Sequence, residues 1–317
     1  MIGTPFPSGE PAADRRASFA ETLAHLGDLP GAVEALKAAL DLAPTWAAGW
    51  FRLGEYLEGL NETAAAVDAW TRAVAADPSD PLGASLRRDL ACKTPMIETM
   101  PPAFVELLFD QYAPRFDTSL TQKLAYRGPQ ILIDALSAAE TPHADRALDL
   151  GCGTGLMGAQ LRSRCDWLEG YDLSANMLAE AQAKGDYDAL HKCDIGALDL
   201  QPRSWDLITA ADVFIYLGAL EQIIGWCAGS LRPGGTLAFT VELDEQAPFT
   251  LRDSRRFAHS SAYVQDLLQQ AGLAPLSVQQ CTLRHDRGQP VASACFVARA
   301  VPGTRLIHDG DEMDALA

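Results

Sequence analysis

Three glycines in alternation, Gly151, Gly153 and Gly155, follow the short apolar run Ala147-Leu148-Asp149-Leu150, which carries one acidic residue. The run reads as a buried strand, and Leu156 to Arg164 reads as a helix. Glycines at a strand-to-helix turn accept φ > 0 and let the backbone approach a ligand closely, which a Cβ would obstruct. The G-x-G-x-G spacing differs from the G-x-G-x-x-G of most dinucleotide folds, and no G-K-[ST] follows to hold a phosphate. In nucleotide-binding α/β folds the second strand places a ribose carboxylate about 20 residues beyond such a loop. Here Trp167 to Tyr171 is mostly apolar and ends in Asp172.

Further landmarks follow in order. Ser174 is placed to cap a helix beginning Ala175-Asn176-Met177-Leu178. Cys193-Asp194-Ile195 closes a third strand, Trp205 to Asp212 forms a fourth, and Leu231-Arg232-Pro233-Gly234-Gly235-Thr236-Leu237 is a turn feeding a fifth. Together with Asp149-Leu150-Gly151-Cys152-Gly153-Thr154-Gly155, they resemble the class I S-adenosylmethionine (SAM) methyltransferases, whose L-[KR]-P-G-G-x-L signature is close to residues 231–237. The resemblance implies a Rossmann-like α/β domain with a mostly parallel seven-stranded sheet. It also implies SAM as cofactor and S-adenosylhomocysteine (SAH) as product. It assigns Asp149, Gly151, Gly153 and Gly155 to the cofactor loop and Asp172 to the ribose hydroxyls, with Leu173 and Met177 as neighbouring contacts. Asp194 falls to the adenine amino group, Ile195 to the ring face and Ala210 to the active-site edge. Each has a structural reading as well: the glycines as a tight turn, Asp172 as a helix cap, Met177 as core, Asp194 as a loop carboxylate. Cys152 has no partnered base in the motif and reads as a small packed residue.

The segment Phe109-Asp110-Gln111-Tyr112-Ala113-Pro114-Arg115-Phe116-Asp117 resembles the F-D-x-Y-A-x-x-F-D entry helix of many small-molecule methyltransferases of this class. The resemblance implies a lid over the cofactor, with Tyr112 at the methionine end and Phe116 shielding the sulfonium beside the acceptor. The residues allow equally a helix that simply docks on the sheet. Phe109, Tyr112 and Phe116 share one face only if the helix continues past Pro114. Ser119 to Ala125 reads as a short helical stretch, and Pro129 suits the first turn of a helix reaching Leu136.

For the acceptor, Ala210-Ala211-Asp212-Val213 departs from the [DN]-P-P-[YFW] of amide, adenine and cytosine N-methyltransferases, which disfavours that class. A general base is needed only if the acceptor must lose a proton. Tyr216 and His259 are the candidate catalytic groups, and Phe116, Glu242, Arg256 and Tyr263 the candidate substrate contacts. His259 reads equally as a helix N-terminal residue with a local hydrogen bond beside Ser260, and Arg256 either as a carboxylate clamp or as a solvated arginine. No metal-ligand cluster can be singled out, so no metal is expected.

The front of the chain repeats itself. Gly27 to Leu36 matches Asn61 to Trp70 at an offset of 34 residues. The second copy resembles the tetratricopeptide (TPR) pattern through Trp50, Leu53, Gly54, Ala66, Trp70, Ala73 and Pro78, with Leu57 where a tyrosine is usual. The first keeps Ala32, Leu36, Ala39 and Pro44, but has Arg16 and Ala20 where Trp and Gly are usual. Repeats over 13–46 and 47–80 and a capping helix near 82–92 predict an all-α unit, with Met100-Pro101-Pro102 marking a linker over 93–102. Residues 1–12 are expected to be flexible, 103–301 to form the methyltransferase domain, and 302–317 to be an acidic disordered tail. The combination, over roughly 13–300, is similar to a bacterial group of methyltransferases with TPR repeats.

A formal net charge of −17 opposes a nucleic-acid substrate, which needs a basic face. No apolar run has the length of a membrane span, no signal pattern opens the chain, and the seven cysteines show no metal spacing, so a cytoplasmic protein is expected. Two function classes follow. One is a SAM-dependent methyltransferase acting on a small molecule or a carrier-bound metabolite, with the repeats for self-association or docking a protein partner. The other is a TPR-led interaction protein with a protein acceptor, or one whose methyltransferase fold is regulatory or inactive.

Overall fold

The structure, a computed structural model, describes residues 6–92, 98–120, 124–286 and 288–301. The expected tail at 302–317, the first half of the expected linker (93–97), residues 1–5 of the segment expected to be flexible and 121–123 of the expected helical stretch lie outside the described residues. The chain divides into two units, Met1–Val105 and Glu106–Ala317.

The first unit is helical: α1 (Pro11–His25), α2 (Leu29–Leu40), α3 (Ala47–Gly59), α4 (Thr63–Ala76) and α5 (Ala84–Cys92). Within the segment expected to be flexible, Pro11 opens α1 and the Glu10 side chain accepts from the Ala12 N–H. Asp28 caps α2 by accepting from the Gly31 N–H at 3.0 Å. Small residues let the helices approach: a Cβ on Gly54 would collide with the Trp70 indole, and Trp70 is fully buried. Leu36, Leu53, Leu57 and Trp70 form one core with buried alanines of α1, α2 and α4. The apolar positions of the 34-residue match are thus core positions of two helix pairs.

The second unit is an α/β sandwich around one sheet. Its strands are β1 (Ala144–Leu150), β2 (Cys165–Asp172), β3 (Ala189–Lys192), β4 (Trp205–Ala210), β5 (Leu231–Leu243), β6 (Phe249–Leu251), β7 (Phe257–His259), β8 (Leu273–Asp286) and β9 (Gln289–Ala300). Its helices, with α6 (Pro102–Tyr112) entering from the first unit, are α7 (Phe116–Thr118), α8 (Gly128–Ala138), α9 (Gly158–Leu161), α10 (Ala175–Lys184), α11 (Glu221–Ser230) and α12 (Ser261–Gln270). β3, β2, β1, β4 and β5 run parallel in that order; β9 then pairs antiparallel with β5, and β8 with β9. Those seven strands are the expected Rossmann-like sheet. Two short strands are additional: β7 pairs with the C-terminal end of β5, and β6 with β7.

Three local expectations change. The helix after the glycine turn is only α9 and a 3-10 turn at Arg162–Arg164. Residues 232–235 form a bulge inside β5, not a turn before it: Trp205 pairs with Leu231, and Leu207 already with Thr236. Asp194 stands just past β3, where its side chain accepts from the Gly196 N–H and opens a 3-10 turn. Among the described residues no helix is long and apolar enough to cross a membrane.

Candidate active site

β1 lies between β2 and β4, so strand order reverses on either side of it and a crevice opens beyond the carboxyl ends of the strands. The glycine loop fills that position. Gly151, Gly153 and Gly155 all have positive φ (63°, 52° and 88°). The space around them separates their tasks. A Cβ at 151 would lie 2.5 Å from Val213 Cγ2, and one at 155 would lie 3.1 Å from Tyr187, so those two are bare to admit the protein's own side chains. Among the described residues a Cβ at 153 would meet only Phe116, at 3.8 Å. Gly153 therefore presents bare backbone to open space, the property a bound cofactor requires.

Asp172 closes the loop from the end of β2. Its Oδ2 accepts from the Gly153 N–H at 2.9 Å and its Oδ1 from the Ser174 N–H at 2.8 Å. Burial raises its pKa against these stabilising bonds. Ser174 caps α10 through the Met177 N–H and donates its hydroxyl to Asp110 at 2.6 Å. Asp149 lies beneath the loop, 1% exposed, accepting from Tyr187 (2.7 Å) and Thr209 (3.0 Å). Burial pushes its carboxyl up to about 7. The sequence-based expectation that Asp149 touches a ligand gives way to support of the loop from below. Met177 and Ala210 are likewise core residues with no exposed side chain to offer. Leu173, Asp194 and Ile195 remain half-buried at the crevice edge. Cys152 is buried, and its thiol is pushed far up.

The entry segment keeps part of the expected aromatic face. Phe109 meets Phe116 edge-on at 5.9 Å between ring centroids and Tyr216 at 5.4 Å. Tyr112 is not in this group; it is 52% exposed. The 3-10 turn Ala113–Arg115, imposed at Pro114, breaks the helical register, brings Phe116 back onto Phe109 and leaves Tyr112 outside. What fastens the segment is polar, and sequence reasoning had given those residues no role. Asp117 accepts from the Thr154 hydroxyl within the glycine loop and pairs with Lys184 at 2.6 Å, while Glu106 pairs with Lys192 at 2.6 Å. Both aspartates of F-D-x-Y-A-x-x-F-D are staples.

On the other side of Gly151, Val213 follows Asp212, a non-glycine residue at φ 63°. Asp212 Oδ2 pairs with Arg284, which is 2% exposed, and the same guanidinium reaches Glu242. Glu242 also holds Arg256 at 2.8 Å, and Arg256 reaches Asp286 at 2.8 Å. Glu242 and Arg256, expected as substrate contacts, are thus each other's partners. Arg284 was missed because nothing near it in sequence marks it; pairing of β5, β9 and β8 brings it under the crevice. Tyr263 is committed elsewhere: its hydroxyl donates to Glu221 and accepts from the Leu220 N–H, both at 2.9 Å.

The two candidate catalytic groups, Tyr216 and His259, are both buried. His259 is fully buried on β7, while Ser260 beside it caps α12. His259 Nε2 donates to the carbonyls of Leu217 (2.9 Å) and Gly218 (3.0 Å), and burial lowers its pKa to about 4. Tyr216 is pushed up to about 12 by burial and by the Asp212 charge, so it stays a protonated donor at neutral pH. Among the described residues no group of three His, Cys, Asp or Glu could hold a metal ion.

Residues 148–239 match a family model described as "Methyltransferase domain". The chain thus carries a methyltransferase domain, on the Rossmann-like class I fold. It is 31% identical over 173 residues to methyltransferase-like protein 27 of Homo sapiens, covering 52% of this chain and 66% of that protein. It is 31% identical over 152 residues to a malonyl-[acyl-carrier protein] O-methyltransferase of Enterobacter lignolyticus, covering 47% of this chain and 59% of that protein. The chain spans less than two thirds of the length of either relative. The crystal structure of a Burkholderia thailandensis 1,6-didemethyltoxoflavin-N1-methyltransferase, with bound 1,6-didemethyltoxoflavin and SAH, superposes with a TM-score of 0.51 at 18% identity. It covers 63% of this chain and 88% of that one, and shows a shared fold.

Proposed function

We propose that the protein is a SAM-dependent methyltransferase whose acceptor is a small molecule or a carrier-bound metabolite. The observation that carries the reading is the bare Gly153: the flanking glycines are explained by Val213 and Tyr187, and Gly153 is not explained by any such packing. Each oxygen of Asp172 accepts one backbone N–H and retains a lone pair for a ribose hydroxyl. Asp194 and Ile195, at the crevice edge beyond β3, suit the adenine amino group and ring face. When bound, SAM supplies a methyl group made electrophilic by its sulfonium. The chain's own residues orient and exclude water: the Phe109–Phe116–Tyr216 cluster walls the crevice, and the Asp117 staple ties that wall to Thr154. Holding the acceptor in line can contribute roughly 7–11 kcal/mol of the barrier reduction.

The malonyl-carrier activity named for one relative favours a small or carrier-bound acceptor in this chain too. The helical unit, read as TPR-like, then serves self-association or docking of a partner, and a cytoplasmic location fits the composition. Calorimetry tests the reading: SAH should bind the wild-type protein and NAD should not. NAD binding without SAH binding would overturn it.

A further inference from the structure

We propose, resting on the cofactor reading above, that Asp212 takes the proton of the methyl acceptor, and that the acceptor reacts through a hydroxyl or an amine rather than a carboxylate. Asp212 stands next to Val213, which packs on Gly151, so the residue borders the glycine loop. Its backbone is left-handed at φ 63°, and its N–H donates to Thr240 Oγ1 at 2.8 Å, which fixes the residue from the sheet side. Its two oxygens are unequal. Oδ2 is held by Arg284, while Oδ1 is buried and has no hydrogen-bond partner among the described residues. A buried carboxylate oxygen left without a donor costs stability. Next to a cofactor loop, such an acceptor is completed by a donor on the ligand.

The surroundings select which donor. Among the described residues Arg252, Arg256 and Arg284 are the cations here, and each already faces carboxylates: Glu242 and Asp244, Glu242 and Asp286, Asp212 and Glu242 respectively. An acceptor carboxylate would meet guanidiniums that are taken and carboxylates that repel it. An O–H or N–H meets the complement it needs. Tyr216 and Tyr126 are both pushed up by burial and by the Asp212 charge, so they stay protonated and are donors, not bases. His259 Nε2 donates to two carbonyls, and burial lowers the ring's pKa to about 4. In the balanced step the acceptor oxygen or nitrogen forms its bond to the methyl carbon, and the carbon–sulfur bond breaks toward sulfur. The released proton goes to Asp212 Oδ1.

Sinefungin tests this without knowledge of the substrate, because it carries a protonated amine where SAM carries the methylated sulfonium. Asp212→Asn suits the test, since asparagine tolerates the left-handed region. We expect the variant to bind SAH within about twofold of wild type and sinefungin about tenfold or more weakly, as one charge-assisted bond is lost. SAH binding by both proteins checks the cofactor reading separately. In parallel, labelled methyl taken up from SAM by a metabolite extract should resist mild alkali, as ethers and methylamines do and methyl esters do not. An unchanged sinefungin-to-SAH ratio in the variant, or alkali-labile label, would overturn the proposal.

Discussion

Replacing Gly153 by alanine separates ligand contact from fold. The residue has φ 52°, so any Cβ there meets the left-handed penalty of about 1–2 kcal/mol. Sterically the methyl fits, since its one near neighbour is Phe116 at 3.8 Å. For a unit of this size each kcal/mol lowers Tm by about 2–4 °C, so the free variant should melt roughly 2–8 °C below wild type. Gly185 is the control. It ends α10 at φ 76°, and a Cβ there would find nothing within 4 Å. Gly185→Ala therefore carries a similar backbone cost at the end of α10 opposite the Ser174 cap. SAH at 100 times its Kd stabilises wild type by about 2.7 kcal/mol, or roughly 5–11 °C. Thermal melts with and without SAH should show that shift in wild type and Gly185→Ala, and show it lost in Gly153→Ala. If Gly153→Ala keeps the full SAH shift, the open face over Gly153 is not where the cofactor lies, and the reasoning fails.

Three further outcomes are expected. Asp172→Asn keeps the side chain's shape and removes its charge; SAH binding by calorimetry should weaken by about 1.5–3 kcal/mol, and unchanged affinity would remove Asp172 from the cofactor contacts. Phe116→Ala should weaken SAH binding while Tyr112→Phe leaves it unaltered, because only Phe116 joins the aromatic wall; the reverse ranking would restore the uninterrupted helix. His259 is depressed to about 4 in the folded state, so above pH 6.5 it is neutral in both states and contributes no pH dependence. As pH falls from 6.5 toward 4 only the unfolded chain gains the proton, and stability drops by about 2 kcal/mol at pH 5. Denaturant melts of His259→Asn should lack that part of the acid loss, and an equal loss in the variant would refute the assignment.

What could be read from the sequence was whatever a short stretch of chain decides by itself. The glycine turn, Asp172 about one βα unit later and the Ser174 cap depend on neighbours within a few residues, and they stand where the pattern placed them. The entry segment was legible in part: Pro114 was the expected weak point, and the turn there moves Tyr112 out while folding Phe116 back. The acceptor side was not legible. Asp212 and Arg284 are 72 positions apart and meet only because β9 lies antiparallel between β5 and β8. Glu242, Arg256, His259 and Tyr263 were singled out as polar residues near strand ends. Pattern alone could not tell that each was engaged by another protein group.

That distinction bears on whether the domain is an enzyme or an inert scaffold beneath an interacting helical unit. A scaffold gains from polar groups being paired within the protein, as Glu242 is with its arginines and Asp149 with Tyr187 and Thr209. Two features stand apart. Gly153 is left bare where a side chain would find room, and Asp212 accepts a left-handed backbone with one buried oxygen unpaired. The Asp212 arrangement costs stability, and strain of this kind persists where function requires it. They flank the same loop, Gly153 under Phe116 and Asp212 beside the Val213 that packs on Gly151. A regulatory fold has no physical need for such a pair; a methyl transfer that binds a cofactor on bare backbone and removes a proton beside it needs both.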